Sequence, residues 1–251
     1  MSLSIHSQLL ASTGQLVEGI STAQAGNMSP LYGPTDEVAK ARRVFLRDLG
    51  TSMDHGIYFR PYNRDVIMDV DAGFAGIGME SGLPVMADAL VTRTPGVGLF
   101  VLLADCQSIS LFDPRAMVIA LIHAGRFGLQ EQLVTKVIEH LHHHYGSLPE
   151  NLMAYLGPRL SAEHHVFEPW ITQEVSGWGK HMKITANGRY TLDIRGYALE
   201  QLRVAGVRIK NIEETPIDTY SSPVFYSHVR SAREGLTEAR FGAYLEMKRQ
   251  G

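Results

Sequence analysis

The chain has 251 residues, of which 45% are apolar and 20% charged, and its formal net charge is −3. This charge gives no basic surface for nucleic acid or an anionic membrane, and no apolar stretch reaches the roughly 20 residues of a membrane span. A single cysteine excludes an internal disulfide. Because residues 1–13 also lack the pattern of a secretory signal, we predict a cytoplasmic protein. No linker, repeat or composition shift divides the chain, so we predict one domain over 1–251.

The first third of the chain predicts strands, one helix and long loops. Residues 14–34 indicate a strand followed by a loop, and Asp36–Leu49 has helical spacing of apolar residues with Gly50 as its stop. Strands are predicted at 56–59 and 66–70, on either side of a turn at 60–63. The frequent glycines and prolines favour a mixed α/β or α+β chain.

Apolar runs dominate the middle of the chain. Strands are predicted at 89–92, 98–104 and 117–122, and the second is apolar enough for both of its faces to be covered. Residues 109–112 either continue that strand or form a new one or a helical turn. Leu129–Leu141 has the periodicity of an amphipathic helix.

The last third predicts further alternation of strands and helices. Strands are predicted at 152–156, 207–212 and 224–226, and a helix at 196–204. Residues 236–247 fit a strand and a helix equally well.

Two successive apolar runs end in chemically capable residues. The first ends at Ala104-Asp105-Cys106, and the second ends at His123. A thiol and an imidazole at neighbouring strand ends can bind a soft metal or carry out nucleophilic or proton-transfer chemistry. The alternatives are a buried, inert cysteine and a structural histidine. We take Cys106, His123 and Asp105 as candidate catalytic residues, with Asp105 or a histidine handling a proton.

The segment after His123 indicates an anion-binding corner. Gly125, Arg126 and Gly128 directly precede the predicted helix, where free N–H groups and a cation favour phosphate. Arg230, in a loop near the C-terminus, is a further candidate for phosphate binding, with a plain surface loop as the alternative.

A metal site would need a third protein ligand besides Cys106 and His123. The candidates are distant in sequence and none is singled out by spacing: Tyr62, His55, His164, His165 and His228. The histidines between 140 and 144 end the amphipathic helix and fit a solvated surface.

Ordered motifs across almost the whole chain resemble the YfiH-like family, also called the multicopper polyphenol oxidoreductase (laccase) family. The matching segments are Gly19-Ile20-Ser21-Thr22, 98–106 ending in Ala104-Asp105-Cys106, 120–125 ending in His123-Ala124-Gly125, Leu156-Gly157-Pro158, and Phe225-Tyr226-Ser227 with Arg230.

The resemblance implies a single α/β domain of packed mixed sheets flanked by helices. It also implies a metal, usually zinc and less often copper, held by one cysteine and two histidines. The implied reaction is phosphorolysis of adenosine or inosine, possibly with adenosine deamination. The partners would be a nucleoside and phosphate, for a monomer or small homo-oligomer. Copper-dependent phenol oxidation is a third possibility.

The chain departs from the family pattern at the site. Tyr62 stands where the family has its first histidine ligand, and Arg126-Phe127-Gly128 replaces Trp-Arg-Gly. A phenol is a weaker zinc ligand at neutral pH because its pKa lies near 10. These departures leave open a metal-free site, and also a non-catalytic relative that retains the fold and a ligand pocket.

Overall fold

A computed structural model describes residues 2–80, 82–168 and 177–249. The strands of these residues are β1 (Ser4–Ile5), β2 (Leu16–Ser21), β3 (Gly56–Arg60), β4 (Ile67–Asp69), β5 (Val85–Met86), β6 (Ala89–Thr92), β7 (Gly98–Leu103), β8 (Gln107–Asp113), β9 (Val118–Ala124), β10 (Met153–Leu156), β11 (Val166–Phe167), β12 (Met182–Ile184), β13 (Tyr190–Leu192), β14 (Ile212–Glu214) and β15 (Phe241–Met247). The α-helices are α1 (Gln8–Ala11), α2 (Thr35–Asp48), α3 (Arg126–Gln130), α4 (Leu133–Tyr145), α5 (Ile194–Val204) and α6 (His228–Glu234).

Two mixed sheets form the body of the fold. The first has the strand order β1-β2-β15-β7-β3-β5, and the second has the order β14-β10-β8-β9-β6-β4. Apolar residues of both sheets meet in one buried cluster, which lies between them. Helix α2 packs on the outer face of the first sheet, and α4 and α5 pack on the outer face of the second. The mixed α/β class predicted from the sequence is confirmed.

The continuous apolar runs are explained by this layered arrangement. In β9, Ile119 and Leu121 face the first sheet, whereas Ala120 and Ile122 face the cluster with α4. Successive side chains of a strand point to opposite faces, so a strand with both faces covered needs apolar residues at every position. In β7, Leu99, Val101 and Leu103 belong to the cluster between the sheets, and Phe100 and Leu102 belong to the cluster with α2. The expectation that the strand at 98–104 is covered on both faces is therefore confirmed.

The helix predicted over Leu129–Leu141 is divided in the structure. Helix α3 ends at Gln130, and α4 begins only at Leu133. Between them Gln132 adopts φ +60°, a left-handed conformation that interrupts the helical path. Residues 107–113 form a separate strand, β8, which pairs with β9 along its whole length.

The C-terminal part differs most from the sequence prediction. The strand predicted at 207–212 is a short 3₁₀ turn followed by β14, and residues 224–226 are irregular. Of the ambiguous segment 236–247, residues 241–247 form β15, which pairs with β2 and β7. The structure also contains the small antiparallel sheet β11-β13-β12, which the sequence did not indicate. Within the described ranges no helix is long and apolar enough to cross a membrane.

Candidate functional site

Cys106 lies in the short connection between β7 and β8, and Asp105 fixes the shape of that connection. Asp105 has φ +86°, which is uncommon for a residue with a side chain. Its buried carboxylate accepts hydrogen bonds from the Thr219 hydroxyl at 2.6 Å and from the Val229 N–H at 2.7 Å. Its carbonyl accepts the N–H of Leu160 at 2.8 Å. Because both carboxylate oxygens are engaged, these contacts favour an anchoring role for Asp105 over the proton transfer predicted from the sequence.

His123 lies near the end of β9, opposite Ser108 of β8. Its position in the strand places it on the same face as Ile119 and Leu121, toward the first sheet. Only 6% of the residue is exposed. The imidazole is thus held at the end of the core between the two sheets.

Gly125 lets the thiol and the imidazole approach one another. A Cβ atom at Gly125 would lie 3.0 Å from His123 Cε1 and 3.2 Å from Cys106 Sγ. Both functional groups therefore border the same small volume, which a side chain at Gly125 would crowd. The structure brings Cys106 and His123 together, as the positions of the two strand ends predicted.

Both groups are neutral at neutral pH. Burial raises the pKa of the Cys106 thiol to about 12, helped by the negative charge of Asp105 and opposed by Arg240 and Arg126. Burial lowers the pKa of His123 to about 4, opposed by a hydrogen bond to its own backbone. The pair therefore offers a protonated thiol and an uncharged imidazole.

Cys106 and His123 line a cavity of about 320 Å³. Tyr58, Arg60 and Arg240 contribute to its walls. Arg240 is paired with Glu238 at 2.6 Å. The exposed Arg60 guanidinium forms no hydrogen bond or ion pair within the described part of the chain, so it is available to an anion. The sequence indicates only a turn at Arg60, because nothing in its local pattern shows that it borders the same cavity as Cys106.

Comparison with known proteins assigns the chain to a family. A family model described as multi-copper polyphenol oxidoreductase laccase matches residues 18–244. The chain belongs to this laccase family. The family predicted from the sequence motifs is thereby confirmed.

Solved structures share the fold of this chain, and curated proteins are similar to it in sequence. YlmD from Geobacillus stearothermophilus has a TM-score of 0.88 at 21% identity, with 97% of this chain and 94% of that chain covered. The hypothetical protein YfiH of Bacillus licheniformis has a TM-score of 0.86 at 20% identity, with 93% of each chain covered. A purine nucleoside phosphorylase of Corynebacterium glutamicum is 29% identical, over 86% of this chain and 85% of its own length. One of Xylella fastidiosa is 30% identical, over 92% and 88% respectively.

Tyr62 does not join Cys106 and His123. The side chain is 53% exposed and lines a separate groove with Phe127. The backbone directs it there, because Asn63 has φ +60° and the Asp88 carboxylate accepts the N–H groups of Asn63 and Val66 at 2.7 and 3.1 Å. The prediction that Tyr62 is a third ligand is therefore not supported by its position.

The donor atoms do not fit the metal that the laccase family name implies. Zinc requires at least three protein ligands, and copper centres likewise need several imidazole or thiolate donors. Across residues 2–80, 82–168 and 177–249, no group of three His, Cys, Asp or Glu side chains is arranged to hold a metal ion. His228 borders the cavity, but its imidazole is bonded to Glu238. Two other candidate ligands also have carboxylate partners: the His164 imidazole contacts Asp218, and the His55 imidazole contacts Glu246.

The segment from Gly125 to Gly128 has less free space beside its backbone than a phosphate-binding site needs. Gly125 donates its N–H to the His123 carbonyl at 3.1 Å. Gly128 is buried, and a Cβ atom there would lie 3.0 Å from Leu133 Cδ2 and 3.1 Å from the Arg64 carbonyl oxygen. These contacts leave little room for an anion against the two glycines.

The two predicted phosphate-binding arginines have different surroundings. Arg230 donates to the carbonyl oxygens of Thr219, Tyr220, Ser222 and Phe225, so its guanidinium holds the preceding loop together. The Arg126 guanidinium packs over the rings of Phe127 and Phe167. Its positive charge opposes the rise in the pKa of Cys106 that burial causes. Arg126 remains close enough to influence the site. Arg230 lies in α6 rather than in the predicted loop, and its side chain binds the loop that precedes this helix.

Proposed function

We propose that this chain is a purine nucleoside phosphorylase whose reaction takes place in the Cys106 cavity. The observation that carries the proposal is that one cavity contains the neutral Cys106–His123 pair and the available cation Arg60. The similarity to proteins from Corynebacterium glutamicum and Xylella fastidiosa that are named purine nucleoside phosphorylases supports this choice of reaction.

Phosphate binds at the Arg60 side of the cavity in this proposal. A guanidinium presents a planar set of N–H donors that matches phosphate oxygens. Arg240 adds a positive charge nearby and His228 adds an imidazole, and both side chains already contact Glu238. Arg60 therefore replaces the residues that the sequence predicted for phosphate binding, which were Gly125, Arg126, Gly128 and Arg230.

The reaction exchanges one bond at the ribose. A phosphate oxygen forms a bond to C1′ while the bond from C1′ to the purine nitrogen breaks, and its electron pair leaves with the base. The hydrogenphosphate proton ends on the purine, so the products are ribose-1-phosphate and the free base. No oxidant or water is consumed.

In this proposal His123 relays that proton, and Cys106 donates a hydrogen bond to the leaving base. A neutral imidazole can accept a proton at one ring nitrogen and donate at the other, as proton relay requires. The protonated thiol of Cys106 is a hydrogen-bond donor rather than a nucleophile, because its pKa is raised to about 12. Asp105 holds the connection that presents the thiol.

The proposal contains no metal-dependent step. Adenosine deamination and phenol oxidation, which the family resemblance also implies, would draw on a metal-activated water or a copper centre. The described side chains provide two suitable donors rather than three. We therefore restrict the proposal to phosphorolysis.

An assay of pure protein with inosine, guanosine or adenosine and phosphate tests the proposal. We expect free base and ribose-1-phosphate from the unaltered protein and a loss of at least tenfold in kcat/KM for Arg60→Ala, since a charged contact to phosphate is removed. Arg208→Ala removes an exposed arginine outside the cavity and serves as the matched control. A folded protein that yields no product with any of these nucleosides would contradict the proposal and favour a non-catalytic relative.

A further inference from the structure

A second groove adjoins the Cys106 cavity. It has a volume of about 360 Å³ and is lined by Tyr62, Asn63, Arg64, Phe127 and Glu131. Asn63 also lines the Cys106 cavity, so the two spaces share one wall residue. The groove and the cavity are therefore neighbours on either side of Asn63.

Two aromatic side chains give the groove its character. Tyr62 is 53% exposed and Phe127 is 38% exposed. The Arg126 guanidinium lies 4.3 Å from the centre of the Phe127 ring. Exposed aromatic rings beside a ligand cavity are suited to stacking on a flat heterocycle.

The groove is held in shape before any ligand binds. The Asp88 carboxylate accepts the N–H groups of Asn63 and Val66, which fixes the loop that carries Tyr62. On the opposite side, Gly128 allows the carbonyl of Arg64 to pack closely beneath α3. Little ordering of the backbone is thus needed on binding.

The groove also contains a hydrogen-bond donor, Arg64, and a hydrogen-bond acceptor, Glu131. The side chains of Arg64 and Glu131 form no hydrogen bond or ion pair within the residues that the structure describes. A guanidinium donates to the carbonyl oxygen and N7 of a 6-oxopurine, and a carboxylate accepts its ring N–H. Adenine presents an amino donor and an unprotonated ring nitrogen at the corresponding positions, so it matches this pair less well.

We propose that this groove binds the base of a 6-oxopurine nucleoside, stacked on Tyr62 and Phe127, while ribose and phosphate occupy the Cys106 cavity. The assignment of ribose and phosphate rests on the proposed function. The chain then prefers inosine or guanosine to adenosine. Arg64 and Glu131 determine this preference and Tyr62 supplies stacking, and none of them takes part in bond breaking.

Calorimetric titration of guanosine and adenosine, without phosphate, tests the groove separately from catalysis. We expect tighter binding of guanosine, a loss of about tenfold for Tyr62→Leu, and retention of binding in Tyr62→Phe, because stacking needs the ring and not the hydroxyl. Glu131→Gln should weaken guanosine binding more than adenosine binding. Glu139→Gln alters an exposed carboxylate on α4 outside the groove and is the matched control.

The possible outcomes separate the two proposals. If the protein cleaves nucleosides but Tyr62→Leu and Glu131→Gln bind guanosine as the unaltered protein does, the groove proposal is overturned and phosphorolysis stands. If these variants weaken guanosine binding in a protein that cleaves nothing, the groove proposal is supported and phosphorolysis is not. A protein that neither binds nor cleaves nucleosides overturns both.

Discussion

The Asp105 carboxylate accepts the hydroxyl hydrogen of Thr219 at 2.6 Å, across 114 residues of sequence. This bond ties the connection before Cys106 to the loop that precedes α6. Together with the bond from Val229, it joins two distant parts of the chain at the edge of the cavity. The position of the thiol therefore depends on a tertiary contact that is remote in sequence.

Replacement of Asp105 should destabilise the protein. Asp105→Ala removes two hydrogen bonds to a buried carboxylate and leaves the Thr219 hydroxyl and the Val229 N–H without their acceptor. We expect the free energy of unfolding to fall by about 3 kcal/mol, measured by urea unfolding. Asp54→Ala, at an exposed carboxylate, is the control and should change little. Equal stability of the two variants would show that the contacts of Asp105 do not anchor the connection.

Glu18 should make stability fall as pH rises from about 4.5 to about 7. Burial raises its pKa in the folded protein from 4.5 to about 7, opposed by the Ser7 N–H and increased by the nearby charge of Glu213. In that interval the folded state retains a proton that the unfolded state has lost, so deprotonation favours unfolding. The resulting loss, complete above the folded pKa, is about 3 kcal/mol.

Glu18→Gln isolates this contribution, because other titrating groups are common to both proteins. The difference in unfolding free energy between Glu18→Gln and the unaltered protein should shift in favour of the variant between pH 4.5 and pH 8. Urea unfolding at several pH values measures it. A difference that is independent of pH would contradict the raised pKa of Glu18.

Cys106 should react slowly with alkylating reagents in the folded protein. Its pKa of about 12, against an ordinary value of 9.0, leaves far less thiolate at pH 8. We expect alkylation by iodoacetamide to be at least about 100-fold slower than in the urea-unfolded chain. The chain has one cysteine, so the intact mass reports on this site alone. Equal rates in the folded and unfolded protein would show that burial does not suppress the thiolate.

Zinc should bind weakly. Cys106 and His123 are two donors, and Tyr62 lines the neighbouring groove rather than the cavity. After equilibration with zinc and dialysis, we expect far less than one zinc ion per chain, with no further decrease in Cys106→Ala. One tightly held zinc per chain that disappears in Cys106→Ala would show that a third ligand reaches the site.

The sequence predicted those parts of the site that depend on local pattern. Apolar runs that end at Cys106 and His123 correspond to β7 and β9, and their ends meet beside Gly125 because the strands lie in packed sheets. The central strands were predictable for the same reason, since burial on both faces demands an unbroken apolar run.

The remaining features depend on contacts between distant residues. Tyr62 points out of the cavity because Asp88 holds the backbone of Asn63 and Val66. Residues 224–226 do not form a strand. They lie in a loop whose carbonyl oxygens accept hydrogen bonds from the Arg230 guanidinium. Arg60 becomes a candidate phosphate ligand only when β3 lies beside β7 in the folded sheet. No local pattern reports such contacts.

The stoichiometry of products from inosine or guanosine, measured with and without phosphate, tests whether the protein is a phosphorylase. We expect one ribose-1-phosphate for each free base, no base release without phosphate, and loss of both products in His123→Asn. Base release at the same rate without phosphate, with free ribose in place of ribose-1-phosphate, would contradict this expectation.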